Sequence, residues 1–246
     1  MENEPIKENG SADNSGKGQG VTVPYPEKPY PVIAFCLPGD SFTDGFMLSW
    51  TRLIAQMTKD GWPYFVSNYR AADMNNCRNR VAVGDAKMAR DMKPFGGQEY
   101  DYMLWIDSDM VFNFAQLRKL ILDDRSIIGG LYPLNGQGVS TAGFLKGDGN
   151  HRVTGEYLVD KTEPFVVDYV GFGFLLIKRG VFETIGFPWF EHRMIDFDDL
   201  GFAVNTSEDV GWCMIAKEHG FDTWVDPMVR LAHQKKTNLT FGGING

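Results

Sequence analysis

Tyr102-Met103-Leu104-Trp105-Ile106-Asp107-Ser108-Asp109 is an apolar run that ends abruptly in two carboxylates separated by one serine. It reads as a buried strand, which leaves the acids at the strand's carboxyl end. Ligands of open α/β sheets collect at such ends, so Asp107 and Asp109 mark where a divalent metal and a phosphate-bearing substrate are expected. Hard oxygen ligands suit Mn2+ or Mg2+, ions that commonly bridge one or two protein carboxylates to substrate phosphates. Asp and Ser are also ordinary turn residues, so the same stretch has a purely structural reading.

The chain before this strand supplies its setting. Residues 1–24 are rich in Gly, Ser, Asn, Glu and Lys and read as a disordered tail, because so little apolar surface cannot offset the entropy of ordering. Pro24, Pro26, Pro29 and Pro31 lead into a first strand at residues 32–37, which stops at Pro38-Gly39. Phe46, Trp50, Leu53, Ile54 and Met57 recur on one helical face that Gly61 ends. A second strand over residues 64–67 and a helix over about residues 76–92, with Val81, Ala82, Ala86 and Ala89 inward, complete the approach. Strand, helix, strand, helix, strand is the pattern of a parallel sheet wound with crossover helices. A helix Phe114–Leu122 and a strand Ile127–Leu131 continue it.

Beyond residue 134 the texture changes. Glycines punctuate short β-like runs at residues 139–145, 153–159 and 165–169, which suggests hairpins. Residues 170–177 return to a buried strand, and a short helix Val181–Ile185 leads to Gly186-Phe187-Pro188-Trp189-Phe190 and an acidic loop, Asp196-Phe197-Asp198-Asp199. Ser207 is a suitable N-cap for a helix reaching about His219, with Glu208 and Asp209 in its first turn and Gly220 at its end. Acids there favour the helix dipole, which gives them a structural reason of their own. No internal repeat is present.

Composition bounds the function. A chain of 246 residues, 43% hydrophobic and 13% aromatic, is sized for one large core. A net charge of −8 and a pI near 5.0 argue against nucleic acid as the main partner, because phosphate binding needs a basic face. Cys36, Cys77 and Cys213 lie far apart, without disulfide or zinc spacing, which fits a reducing cytoplasm. No apolar run approaches the roughly 18 residues of a transmembrane segment, and the acidic N-terminus is unlike a signal peptide. Asn205-Thr206-Ser207 and Asn238-Leu239-Thr240 match the glycosylation pattern by chance, since no secretory context accompanies them.

Taken together, residues 31 to 235 resemble a GT-A glycosyltransferase of the inverting, family-two-like group. The resemblance implies a single Rossmann-like α/β domain over residues 25–235, with a mainly parallel central sheet flanked by helices. Residues 25–133 would form its nucleotide-binding half and residues 134–235 a smaller, β-rich acceptor-side half. It implies a nucleoside-diphosphate sugar as donor, Mn2+ or Mg2+ as cofactor, and a glycan or other hydroxyl compound as acceptor. Asp107, Asp109 and His233 would hold the metal. Pro38, Arg78, Asn79, Asp107, Ser108, Gly171 and Gly173 would line the donor, with Arg78 forking onto diphosphate oxygens and the glycines letting substrate approach the backbone. Asp209 would be the general base and Glu208 would position the acceptor, with Trp189 and Phe190 stacking on its sugar faces. Lys235 and Lys236, on a flexible tail of residues 236–246 with Gly242 and Gly243, would add charge near the phosphates.

The sequence departs from the family in one place: Ser67-Asn68-Tyr69-Arg70 offers no carboxylate for a nucleobase until Asp73. Two other readings stand beside it. A haloacid-dehalogenase-type phosphatase would use Asp107 as nucleophile and Asp109 as acid/base, but its motif belongs on a first strand and here two strand-helix units precede it. A non-catalytic carbohydrate-binding protein would keep the fold and lose turnover, with Trp189, Phe190, Phe187 and Trp212 as platforms; core burial is the commoner fate of such aromatics.

Overall fold

β1 (Ile33–Pro38) is buried along its whole length, which its apolar sequence requires. α1 (Asp44–Asp60) starts at Thr43, whose hydroxyl accepts from the Phe46 amide at 3.2 Å, and stops at Gly61, whose φ of 78° a side chain would disfavour. Phe46, Leu53 and Met57 on its inner face are buried. β2 (Tyr64–Tyr69) pairs in parallel with β1. α2 (Met74–Val83) is shorter than the helix expected over residues 76–92. Asp73 caps it by accepting from the Asn76 amide at 2.8 Å, and Gly84 at φ 66° turns the chain away, so Ala86 and Ala89 lie beyond it. β3 (Tyr102–Ile106) pairs in parallel with β1 on the side opposite β2.

A tight turn leads to β4 (Met110–Val111) and α3 (Phe114–Leu122), the latter started by a capping box between Asn113 and Gln116. β5 (Ile127–Leu131) is wholly buried. β6 (Val139–Lys146) and β7 (Gly149–Thr154) form the first hairpin; β7 ends before most of the run expected at residues 153–159. β8 (Phe165–Val167), β9 (Phe174–Lys178) and α4 (Val181–Ile185) follow. β10 (Met194–Phe197) and β11 (Phe202–Asn205) make a hairpin where an acidic loop was expected. α5 (Glu208–Glu218) then leads to β12 (Thr223–Arg230), which runs on through Asp226-Pro227 with a register shift, and to β13 (Ala232–His233).

The central sheet has the order β2-β1-β3-β9-β5-β12-β8. β9 is antiparallel to both β3 and β5, and β8 is antiparallel to β12. The other five strands share one direction, which makes the sheet mostly parallel as expected. Side chains alternate across it: Met103 and Trp105 enter one apolar cluster, Leu104 and Ile106 the other. α1 and α3 cover the second face with Phe46, Leu53 and Leu117, while α2, α4 and α5 cover the first with Val81, Phe182 and Trp212. Full burial of side chains such as Leu104 or Phe172 contributes roughly 1.5–3 kcal/mol each.

The computed structural model describes residues 29–134 and 138–235. The expected tails at residues 1–24 and 236–246, with Pro24, Pro26, Lys236, Gly242, Gly243 and Asn238-Leu239-Thr240, lie outside the described residues. Among the described residues no helix is long and apolar enough to cross a membrane.

Candidate active site

β1, β3 and β5 end on one edge of the sheet, where Pro38, Asp107 and Tyr132 border a cleft of about 450 Å³. At the end of β3 the chain turns sharply: the Met110 amide donates to the Asp107 carbonyl at 3.2 Å, and the Thr43 amide donates to the Ser108 carbonyl at 3.0 Å. Pro38 and Ser108 both line the cleft.

Arg78 is the deepest charged group there. It is 2% exposed, on the inner face of α2. Its Nη2 donates to Asp107 Oδ1 at 3.1 Å, and its Nε donates to Glu208 Oε1 at 3.2 Å. The guanidinium carbon lies 4.9 Å from the Phe172 ring centroid, a favourable cation–π arrangement. Burial disfavours the charge of Arg78, but the carboxylates of Asp107, Glu208 and Asp209 outweigh it and hold its pKa above the ordinary arginine value. Nη1 is buried without a hydrogen-bond partner. Arg78 therefore ties the Asp107-Ser108-Asp109 turn to the start of α5, and Glu208, expected to position an acceptor, has its Oε1 engaged by this arginine.

Asp109 faces the opposite wall. β13 pairs antiparallel with β4, matching His233 to Met110, and this register sets His233 over the turn. His233 Nε2 lies 3.0 Å from Asp109 Oδ2, and Lys235 Nζ lies 2.8 Å from the same oxygen. His233 Nδ1 lies 2.8 Å from the Pro133 carbonyl. A carbonyl only accepts, so Nδ1 carries the proton in the neutral ring and Nε2 points its lone pair at Asp109. A lone pair and a carboxylate oxygen repel at that distance unless a proton or a cation lies between them.

This pair is the observation that bears on a metal. An oxygen and a nitrogen donor, with the histidine oriented by the Pro133 carbonyl, would suit Mn2+ or Mg2+. Asp107, also expected as a ligand, has its Oδ1 engaged by Arg78. Among the described residues no three His, Cys, Asp or Glu side chains converge on one metal position. Asp109 and His233 are the residues whose donors would suit such an ion.

Asp209 lines the cleft from the first turn of α5. Its Oδ1 accepts from the Ser207 hydroxyl and from the Val210 amide, the latter at 2.8 Å. Among the described residues, Asp209 has no cation within salt-bridge distance. Asp40, Asp107, Asp109 and Glu208, the other carboxylates lining the cleft, are paired with Arg70, Arg78, Lys235 and Arg78 respectively.

Several expected residues serve elsewhere. Asn79 Oδ1 accepts from the Trp189 and Phe190 amides at 3.0 and 3.1 Å, and its Nδ2 donates to the Phe190 carbonyl at 2.7 Å, so it clamps a loop. Trp189 and Phe190, expected to stack on an acceptor, are 0% and 2% exposed and pack with Phe182, while the Trp189 indole donates to the Phe182 carbonyl. Trp212 is fully buried as well. The space beside Gly171 and Gly173 belongs to Tyr132: a Cβ at either would come within 2.2 and 2.5 Å of that side chain. Asp73, the first carboxylate after β2, is the cap of α2.

Asp40, Arg70 and Tyr132 are among the cleft residues not expected from the sequence. Asp40 and Arg70, 2.9 Å apart, form the rim where β1 and β2 end. Tyr132, at the end of β5, accepts from the Gly173 amide at 2.9 Å and meets the His233 ring edge-on at 5.3 Å. Burial first, and then the charge of Asp107, raises its hydroxyl pKa above the ordinary tyrosine value. Asp40 directly follows Pro38-Gly39 at a strand's carboxyl end, so the rule that marks Asp107 also marks it.

No protein-family model and no curated protein matches the sequence. Among solved structures, GalNAc-T7 with UDP, GalNAc and Mn2+ is similar, with a TM-score of 0.51 and 13% identity over 85% of this chain and 44% of that one. A197 from STIV has a TM-score of 0.47 and 17% identity over 87% of this chain and 100% of its own. The catalytic domain of Drosophila beta1,4-galactosyltransferase 7, in complex with xylobiose, has a TM-score of 0.46 and 13% identity over 86% and 77%. The fold is of the GT-A type: a central, mostly parallel sheet of seven strands between helical layers, with small β-rich additions.

Proposed function

We propose that this chain is a metal-dependent glycosyltransferase that moves a sugar from a nucleoside-diphosphate sugar to an acceptor hydroxyl with inversion. The observation that carries the reading is the convergence of Asp109 with His233, and of Asp209, which has no cation partner among the described residues, on one cleft at the carboxyl edge of the sheet. Asp109 and His233 hold the ion, which when bound offsets the charge of the departing diphosphate. Arg78 pairs with Asp107 and with Glu208, which fixes the start of α5 and through it the position of Asp209. Asp209 takes the acceptor's hydroxyl proton as that oxygen bonds to the anomeric carbon and the carbon–diphosphate bond breaks on the opposite face. Asp40, Asp107, Asp109 and Glu208 are each engaged by an arginine or a lysine, which is why Asp209 suits the role better than its neighbours.

The competing readings fare worse. The nucleophile of a haloacid-dehalogenase-type phosphatase belongs on a first strand, and Asp107 follows β3, behind two strand-helix units. A glycan-binding surface needs exposed platforms, and Trp189, Phe190 and Trp212 are inside.

The test is calorimetric titration of nucleoside diphosphates and their sugars with Mn2+ and after chelation. One nucleotide family should bind with metal and fail to bind Asp109→Ala. Asp209→Asn should bind the same donor as tightly as wild type and lose roughly 100-fold or more in turnover. Absence of binding by every nucleotide, or full turnover by Asp209→Asn, overturns the reading.

A further inference from the structure

Asp109 Oδ2 is shared by two partners, His233 Nε2 at 3.0 Å and Lys235 Nζ at 2.8 Å. An ion on Asp109 and His233 would lie against the lysine ammonium, and two like charges cannot share one carboxylate oxygen at low cost. One must leave. Arg78, the other cation at the turn, is 2% exposed and held by two carboxylates, whereas the Lys235 side chain is 56% exposed. The chain just before Lys235 is meanwhile anchored. The preceding residue, Gln234, donates its amide to the Asp109 carbonyl at 2.8 Å and accepts from the Gly45 amide at 3.0 Å through its side chain. The ammonium is thus the exchangeable charge, on a fixed stem at the cleft mouth.

We propose that Lys235 is a place-holder: it competes with a divalent ion for Asp109 and, when displaced, moves onto the diphosphate of the donor, so that ion and donor bind cooperatively. The proposal rests on the glycosyltransferase reading of the cleft. Neutralisation is the physical reason for the exchange. Asp109 alone needs one positive charge, which Lys235 supplies, while the phosphates of the donor bring the negative charge that accommodates both the ion and the displaced ammonium. The chain would then hold metal weakly by itself and firmly only with donor present.

The test is Mn2+ binding to the full chain, read from the electron paramagnetic resonance of the free ion. It compares wild type, Lys235→Gln, Lys235→Arg and Asp109→Ala, each alone and with the nucleoside diphosphate selected by the titration above. Lys235→Gln should bind Mn2+ alone about three- to fivefold more tightly than wild type, the factor expected from freeing a half-exposed ion pair. Lys235→Arg, which keeps the charge, should remain near wild type. Nucleotide should tighten Mn2+ binding more in wild type than in Lys235→Gln. Equal or weaker Mn2+ binding by Lys235→Gln, with binding still lost in Asp109→Ala, overturns the place-holder and leaves the glycosyltransferase reading standing. Mn2+ binding indifferent to Asp109→Ala overturns both.

Discussion

Arg78 carries more of the site than any other side chain, because one buried guanidinium serves two carboxylates from opposite sides of the cleft. Removing it leaves Asp107 and Glu208 facing each other without a cation. Breaking a buried pair costs about 3–5 kcal/mol, and because Asp107 is partly open to water the lower end applies, roughly 3 kcal/mol for Arg78→Ala. Urea denaturation followed by circular dichroism checks it; an unchanged midpoint would sink the assignment. Arg78→Lys should fall in between, since a single ammonium cannot reproduce the fork that reaches both acids. The resemblance puts Arg78 on the diphosphate oxygens of a donor; within the protein its partners are carboxylates. That these belong to Asp107 and Glu208 was not visible, because position 208 comes next to position 78 only through the winding of the sheet. Trp189 and Phe190 were misjudged for a related reason: sequence shows that an aromatic is present, but which way it faces depends on partners such as Phe182 and Asn79.

α2 illustrates how far local signals reach. Its content was legible from spacing, but its end was not, since alanines at 86 and 89 favour a helix and only the backbone at Gly84 refuses it. Its start depends on Asp73, whose carboxylate takes the Asn76 amide. Asp73→Ala should lower stability by about 1 kcal/mol in thermal or chemical unfolding, the usual cost of a lost N-cap. A loss near zero would mean that α2 is held by packing alone. The C-terminal ends of α1 and α5 were readable because Gly61 and Gly220 punctuate the sequence itself, and Ser207 marked the start of α5. The pairing of β4 with β13 was not readable: two-residue strands carry no period, and their register joins positions far apart in the chain. Yet that register sets His233 over Asp109, so the site's most informative contact comes from its least legible element.

The parallel winding of the first half was legible because each crossover is written locally as strand and helix. The direction of β9 was not, since an apolar run buried on both faces looks the same either way. β9 lies between β3 and β5, and both apolar clusters draw on the same strands. The described residues should therefore unfold in one step, with tryptophan fluorescence and far-ultraviolet circular dichroism tracing coincident urea curves. Separated curves would mean that the two halves melt independently. The same interleaving bears on synthesis at the ribosome. When residues up to 134 have emerged, β3 still has a bare edge and β5 has no neighbour, because the strand that joins them has not yet been made. The nascent chain carries the Asp107 turn on an unguarded strand until Phe174–Lys178 arrives, so the interval between those two segments is where a translating chain is most open to sticking to its neighbours.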